Sequence, residues 1–148
     1  MKLKIGLIVL IVLLSNHTFA NTTGVGAMVG NPIGLNLKHW LSDTQAVDGG
    51  LGMTILGKKS RASLHSDYLF HSENALVFND DYPLDLYYGL GGRMKFADEI
   101  LLGARIPVGV SHKVEASDMF AELAPIIDFV GRTGIELHLI IGARYYFN

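Results

Sequence analysis

From Gly24 onward apolar side chains recur at every second residue over long segments, and no stretch has the three-to-four spacing of an amphipathic helix. In Ile100–Ser111 one face reads Ile100, Leu102, Ala104, Ile106, Val108, Val110, and the other Leu101, Gly103, Arg105, Pro107, Gly109, Ser111. In Ile135–Phe147, Ile135, Leu137, Leu139, Ile141, Ala143, Tyr145 and Phe147 oppose Glu136, His138, Ile140, Gly142, Arg144 and Tyr146. Asp85–Lys95 sets Leu86, Tyr88, Leu90 and Met94 against Tyr87, Gly89, Gly91 and Arg93, and Leu64–His71 sets Leu64, Tyr68 and Phe70 against His65, Asp67 and His71. With weaker segments included, the alternation predicts eight strands, at about 24–30, 33–40, 48–57, 61–71, 84–96, 99–112, 117–129 and 134–147. Turn chemistry separates them: Asn31-Pro32, Ser42-Asp43, Gly57-Lys58-Lys59, Asn79-Asp80-Asp81, Ala97-Asp98-Glu99 and Gly131-Arg132-Thr133-Gly134. A chain of 148 residues holds one such domain.

The composition of the two faces decides which is inside. A solvent-facing position has no need of Gly89, Gly91, Gly103, Gly109 or Gly142, because glycine weakens a strand unless something approaches closely or the strand bends. A narrow closed barrel needs both, and Arg93, Arg105, Arg144, Tyr87 and Tyr146 are side chains large enough to use the space. Apolar outside and polar inside is the arrangement a membrane-crossing barrel demands. Eight strands form a small barrel of this kind with an interior just filled by side chains. The expectation is therefore all-β: an eight-stranded antiparallel up-and-down transmembrane β-barrel.

The segment before the barrel fits this. Lys2 and Lys4 precede an unbroken apolar run from Ile5 to Leu14, and Thr18-Phe19-Ala20 supplies small residues three and one positions before a cut. Ten apolar residues are half of the roughly 20 that a spanning helix needs, so residues 1–20 read as a cleaved signal peptide and 21–148 as the barrel domain. Loss of the two lysines leaves ten basic against 14 acidic residues, a charge of -4, which gives no basic surface for nucleic acid. The sequence has no cysteine, which removes disulfides, thiolate metal sites and a lipidated anchor. Export without a lipid anchor or spanning helix points to the bacterial outer membrane. The C-terminal Arg144-Tyr145-Tyr146-Phe147-Asn148 is similar to the aromatic strand through which such barrels engage their assembly machinery, except that Phe147 is penultimate. The expected partners are outer-membrane lipid and that machinery, with the chain a monomer.

Several runs carry a family resemblance: Asn31-Pro32-Ile33-Gly34, Lys38-His39-Trp40-Leu41, Leu64-His65-Ser66-Asp67-Tyr68-Leu69, Leu86-Tyr87-Tyr88-Gly89-Leu90-Gly91-Gly92-Arg93, Gly103-Ala104-Arg105-Ile106-Pro107-Val108-Gly109, Phe120-Ala121-Glu122-Leu123-Ala124-Pro125 and Ile141-Gly142-Ala143-Arg144-Tyr145-Tyr146-Phe147. Through them the chain resembles a family of small bacterial outer-membrane barrel proteins of unknown function, some spirochaetal members of which are described as porin-like. More remotely its architecture is similar to the OmpA-like eight-stranded barrels. The resemblance implies an outer-membrane barrel and supplies no catalytic residues.

On the expected inner face lie Lys38, His65, Asp67, Arg93, Lys95, Arg105, Glu122, Asp128, Glu136, His138 and Arg144. Charges withdrawn from water must be paired, and the arginine fork suits carboxylates, so these residues read as a structural ion-pair network or the lining of a narrow pore. His65 and His71 are six residues apart, about 20 Å along a strand, too far to share one metal. No catalytic residue, metal ligand or cofactor is assigned. Two competing readings remain: a barrel enzyme acting on lipid acyl chains, which His71-Ser72-Glu73-Asn74 matches only with wrong spacing, and a soluble periplasmic lipocalin-like barrel binding an apolar ligand. The longest connection, Ser72–Pro83, falls on the periplasmic side, where short turns are the rule.

Overall fold

The computed structural model describes residues 22–55 and 57–147. The signal segment and its cut after Ala20 lie outside the described residues. Nine strands follow in order: β1 Thr23–Asn31, β2 Ile33–Trp40, β3 Gln45–Thr54, β4 Arg61–Phe78, β5 Tyr82–Phe96, β6 Ile100–Arg105, β7 Val108–Val114, β8 Ser117–Val130 and β9 Gly134–Phe147. Every pairing is antiparallel, and β1 pairs with both β2 and β9, so the sheet closes on itself. The wall has eight positions, because β6 and β7 share one of them between β5 and β8. The fold is an antiparallel up-and-down β-barrel.

Where the sequence pattern gave one strand over 99–112, the structure has two. The break falls at Ile106-Pro107. Proline lacks the N–H that a central strand donates, so the ladder is interrupted there. The register is nevertheless kept across the gap: Gly91 faces Arg105 and Tyr88 faces Val108 on one side, while Arg105 faces Ile126 and Val108 faces Leu123 on the other. Gly89 N–H donates to the Pro107 carbonyl (3.0 Å) and Ile106 N–H to the Pro125 carbonyl (3.1 Å), so both wall contacts continue past the break.

The connection at Ser72–Pro83 is also not a loop. β4 and β5 run on as a hairpin in which Leu76 faces Leu84, Val77 faces Pro83 and Phe78 faces Tyr82. A bulge between Ser72 and Leu76 takes up extra residues of β4. At its centre Asn74 has φ 50°, and its N–H is held by Asp85 Oδ1 at 2.9 Å. The turn then uses Asn79 (φ 51°) and Asp80 (φ 58°), residue types whose short polar side chains tolerate the left-handed region. β3 likewise runs from Gln45 to Thr54 rather than over 48–57, which adds Gln45, Ala46 and Val47 to the wall.

Burial alternates as the faces require. Outward side chains such as Leu35 (62 % exposed), Leu90 (63 %) and Ile141 (65 %) are apolar, and inward ones are buried. On the outside Tyr68, Phe70, Tyr88, Tyr145 and Phe147 lie toward the rim where β1 starts and β9 ends, and Phe96 and Phe129 lie toward the opposite rim. The first is called here the terminal rim, the second the distal rim. Inside, Met28, Leu69, Tyr87, Phe120 and Ile140 make a small apolar cluster among charges.

Candidate functional site: the barrel lumen

Glycines make the room in which the large inward side chains lie. A side chain at Gly109 would strike the Tyr87 ring, at Gly24 the Tyr146 ring (2.7 Å), and at Gly26 the stem of Arg144 (2.7 Å). Gly142 instead accommodates Phe120, and Gly91 and Gly103 lie against the carboxylates of Asp67 and Asp128. The glycine face of the sequence is thus the floor of a crowded lumen.

Lys38, His65, Asp67, Arg93, Arg105, Glu122, Glu136, His138 and Arg144 all point inward, and all but Glu136 are buried. They form successive layers. Near the distal rim Arg93 donates to Asp128 (2.6 Å) and to Glu136 (2.7 Å), and Lys95 donates to Glu136 (2.7 Å). In the middle Arg105 spans the lumen from Asp67 to Glu122, which also accepts from the Tyr87 hydroxyl at 2.9 Å. Arg144 donates through Nε to Asp118 (3.0 Å), stacks on the Phe120 ring at 3.9 Å and has Asp48 at 3.9 Å. The Tyr146 hydroxyl completes Asp118 at 2.8 Å. At the terminal mouth Lys38 Nζ meets His71 Nε2 (2.9 Å) and lies over the rings of Trp40 (4.4 Å) and Tyr87 (5.3 Å). Lys113 covers Trp40 from 4.8 Å and reaches Asp85 at 3.2 Å.

Asp48, Asp118, Tyr87, Tyr146 and Trp40 belong to these layers, although the sequence reading named neither Asp48 nor Asp118 among the inward charges. Asp118 was within reach, since Asp118, Phe120, Glu122, Ala124, Ile126 and Asp128 are successive alternate residues of β8. Asp48 stands at the first residue of the expected strand 48–57 but fourth in the observed β3, Gln45–Thr54, well inside the wall. His71, whose sequence context suggested an acyl-chain hydrolase, bonds Lys38, and Ser63 Oγ, though buried, has no partner.

Two open vestibules flank the packed middle. One at the terminal rim, about 270 Å³, is lined by Trp40, Glu73, Lys113, Glu115 and Tyr146. One at the distal rim, about 420 Å³, is lined by Lys58, Lys59, Arg61, Lys95 and Glu136. Between them Arg105, Lys38, Tyr87, Leu69 and Ile126 have no solvent-exposed surface.

No family model and no curated protein matches this sequence. Two solved structures share its fold. The N-terminal β-barrel domain of Pseudomonas aeruginosa OprF superposes with a TM-score of 0.65 at 15 % identity, over 86 % of this chain and 98 % of that one. Neisserial surface protein A superposes with a TM-score of 0.53 at 15 % identity, over 88 % of this chain and 100 % of that one. At this identity the likeness is one of architecture.

Proposed function

We propose that this chain is a bacterial outer-membrane β-barrel with a salt-bridged, sealed interior, structural rather than freely conducting, and a member of the small-barrel family that its Leu86–Arg93 and Gly103–Gly109 runs resemble. The observation that carries this is the inverted polarity of a closed sheet, with exposed Leu35, Leu90, Ile135 and Ile141 outside and buried Arg93, Arg105 and Arg144 inside. A monomer in water does not carry so large a contiguous apolar belt. Lipid satisfies it, and closure leaves no unpaired strand edge in the bilayer. A lumen filled by guanidinium–carboxylate pairs is the reverse of what a barrel needs to hold an apolar ligand. The signal segment at residues 1–20 and the aromatic last strand supply the route, through export and the barrel assembly machinery, to a lipid-embedded monomer.

The two vestibules favour one second reading, a narrow porin-like channel whose central pairs exchange partners to let ions pass. Fractionation, gel mobility and planar-bilayer recording separate the possibilities. Expected are recovery with outer membranes only in detergent, migration that changes on heating, and no conductance steps from folded protein. Recovery in the soluble periplasm would overturn the membrane assignment, and regular steps from the wild-type barrel would replace the sealed reading with the channel.

A further inference from the structure

Three inward residues of two neighbouring strands come together with polar atoms that their ion pairs leave unused. Asp48 of β3 lies directly opposite Asp67 of β4 in the ladder, and His65 is the next inward residue along β4. Gly50, opposite His65, lets the imidazole lie over β3, because any side chain there would strike the ring. Each of the three residues brings one ligand-type atom to within 4.8 Å of those of the other two, and all three are at most 4 % exposed.

What remains unused in this hollow points to a ligand. Asp67 turns Oδ2 to Arg105, and Asp48 turns Oδ2 toward Arg144 at 3.9 Å. Asp48 Oδ1, Asp67 Oδ1 and His65 Nδ1 are buried without a hydrogen-bond partner. Buried polar atoms left in this state are costly, and one on each of three side chains whose ligand-type atoms gather within 4.8 Å calls for a shared occupant. The charge count agrees: in this half of the lumen five buried carboxylates, Asp48, Asp67, Asp85, Asp118 and Glu122, face three buried cations, Lys38, Arg105 and Arg144, and the exposed Lys113 at the mouth. A proton held between the two aspartates would restore the charge, but it leaves the imidazole nitrogen unexplained.

We propose that Asp48, His65 and Asp67 form a binding site for a first-row divalent cation of the zinc type inside the barrel. The imidazole nitrogen is the borderline donor that such ions favour and two carboxylate oxygens complete a set they accept, whereas calcium and magnesium take all-oxygen shells. Three protein ligands leave a position for water. Arg105 holds the second oxygen of Asp67, and the Arg144 charge faces that of Asp48 from 3.9 Å, so both orient the carboxylates from outside. Because the surrounding lumen is packed, the ion enters as the barrel closes.

The test folds the untagged chain in detergent with either Zn²⁺ or Co²⁺ present, desalts it, and measures retained metal by elemental analysis and the visible absorption of bound Co²⁺. One ion per folded wild-type chain is expected. In Asp48→Asn and His65→Gln affinity should fall by more than about 100-fold, beyond the roughly 10- to 100-fold typical of losing an outer-shell partner. His138→Gln, which removes a different buried histidine, should retain the ion. Folded wild-type protein that retains no metal overturns the proposal, and the aspartates then share a proton. Equal loss in His138→Gln would also overturn it. Should either ligand variant fail to fold, the wild-type stoichiometry and Co²⁺ spectrum decide alone.

Discussion

Arg105 shows how one side chain can fix the middle of a barrel. It has no exposed surface, and its two terminal nitrogens hold carboxylates from β4 and β8, Asp67 and Glu122. The rigid guanidinium fork can bridge two acids in a way that the single ammonium of lysine cannot. Removing it strands both acids, and breaking a buried pair from one side costs about 3–5 kcal/mol. Arg105→Ala should therefore lower stability to urea-induced unfolding in micelles by about that much, and Arg105→Lys by less. Combining Arg105→Met with Asp67→Asn and Glu122→Gln should recover most of the loss, since no charge is then left alone. If Arg105→Ala unfolds at the wild-type urea concentration, the pairs carry no stability. Gly109 gives a second case, because an added methyl meets both the Tyr87 ring and, at 2.7 Å, the Ala121 carbonyl. Gly109→Ala should cost about 1–3 kcal/mol, the usual penalty of overpacking. A value near zero in the same unfolding assay would mean that Tyr87 is free to move aside.

At the level of elements, the β4–β5 hairpin and the break at Pro107 depart most from expectation. From Ala75 to Pro83 the hairpin contributes no inward side chain, and these residues are exposed. Replacing Ala75–Pro83 with a short Asn-Gly turn should leave heat-modifiable mobility unchanged and alter stability by less than about 0.5 kcal/mol, as for surface changes elsewhere. A barrel that no longer folds would instead assign the hairpin a role in closing the wall. These departures mark what alternation conveys and what it cannot. Period two tells which face each residue takes, so the inward positions of Lys38, Arg93, Arg105 and Arg144 could be read from spacing alone. It is blind to register between strands, and therefore to the meeting of Asp48 with Asp67 or of Arg93 with Asp128. Strand ends were missed for a related reason. Leu76-Val77-Phe78 looked like a connection because it follows Glu73-Asn74, yet the bulge absorbs those residues and pairing resumes. Pro107, on the inward face of an otherwise regular pattern, was the one local sign that a strand would be divided.

For the whole molecule, the two rims differ in charge. Exposed Asp43, Glu73, Asp80, Asp81 and Glu115 surround the terminal rim with Lys113 among them, while exposed Lys58, Lys59 and Arg132 and half-buried Arg61 crowd the distal rim with Asp98 and Glu99. In an outer membrane the strand ends that begin and close the barrel lie in the periplasm, which would put the basic rim against the outer leaflet. That leaflet is rich in anionic headgroups, and cations held near such a surface gain about 1 kcal/mol each. The same orientation leaves the acidic hairpin in the periplasm and only short turns outside. Because the chain has no cysteine, single introduced thiols report on orientation without background. Lys58→Cys should react with a membrane-impermeant maleimide on intact cells, whereas Asp80→Cys should react only after the outer membrane is breached. The opposite labelling would invert the barrel and expose the hairpin at the cell surface.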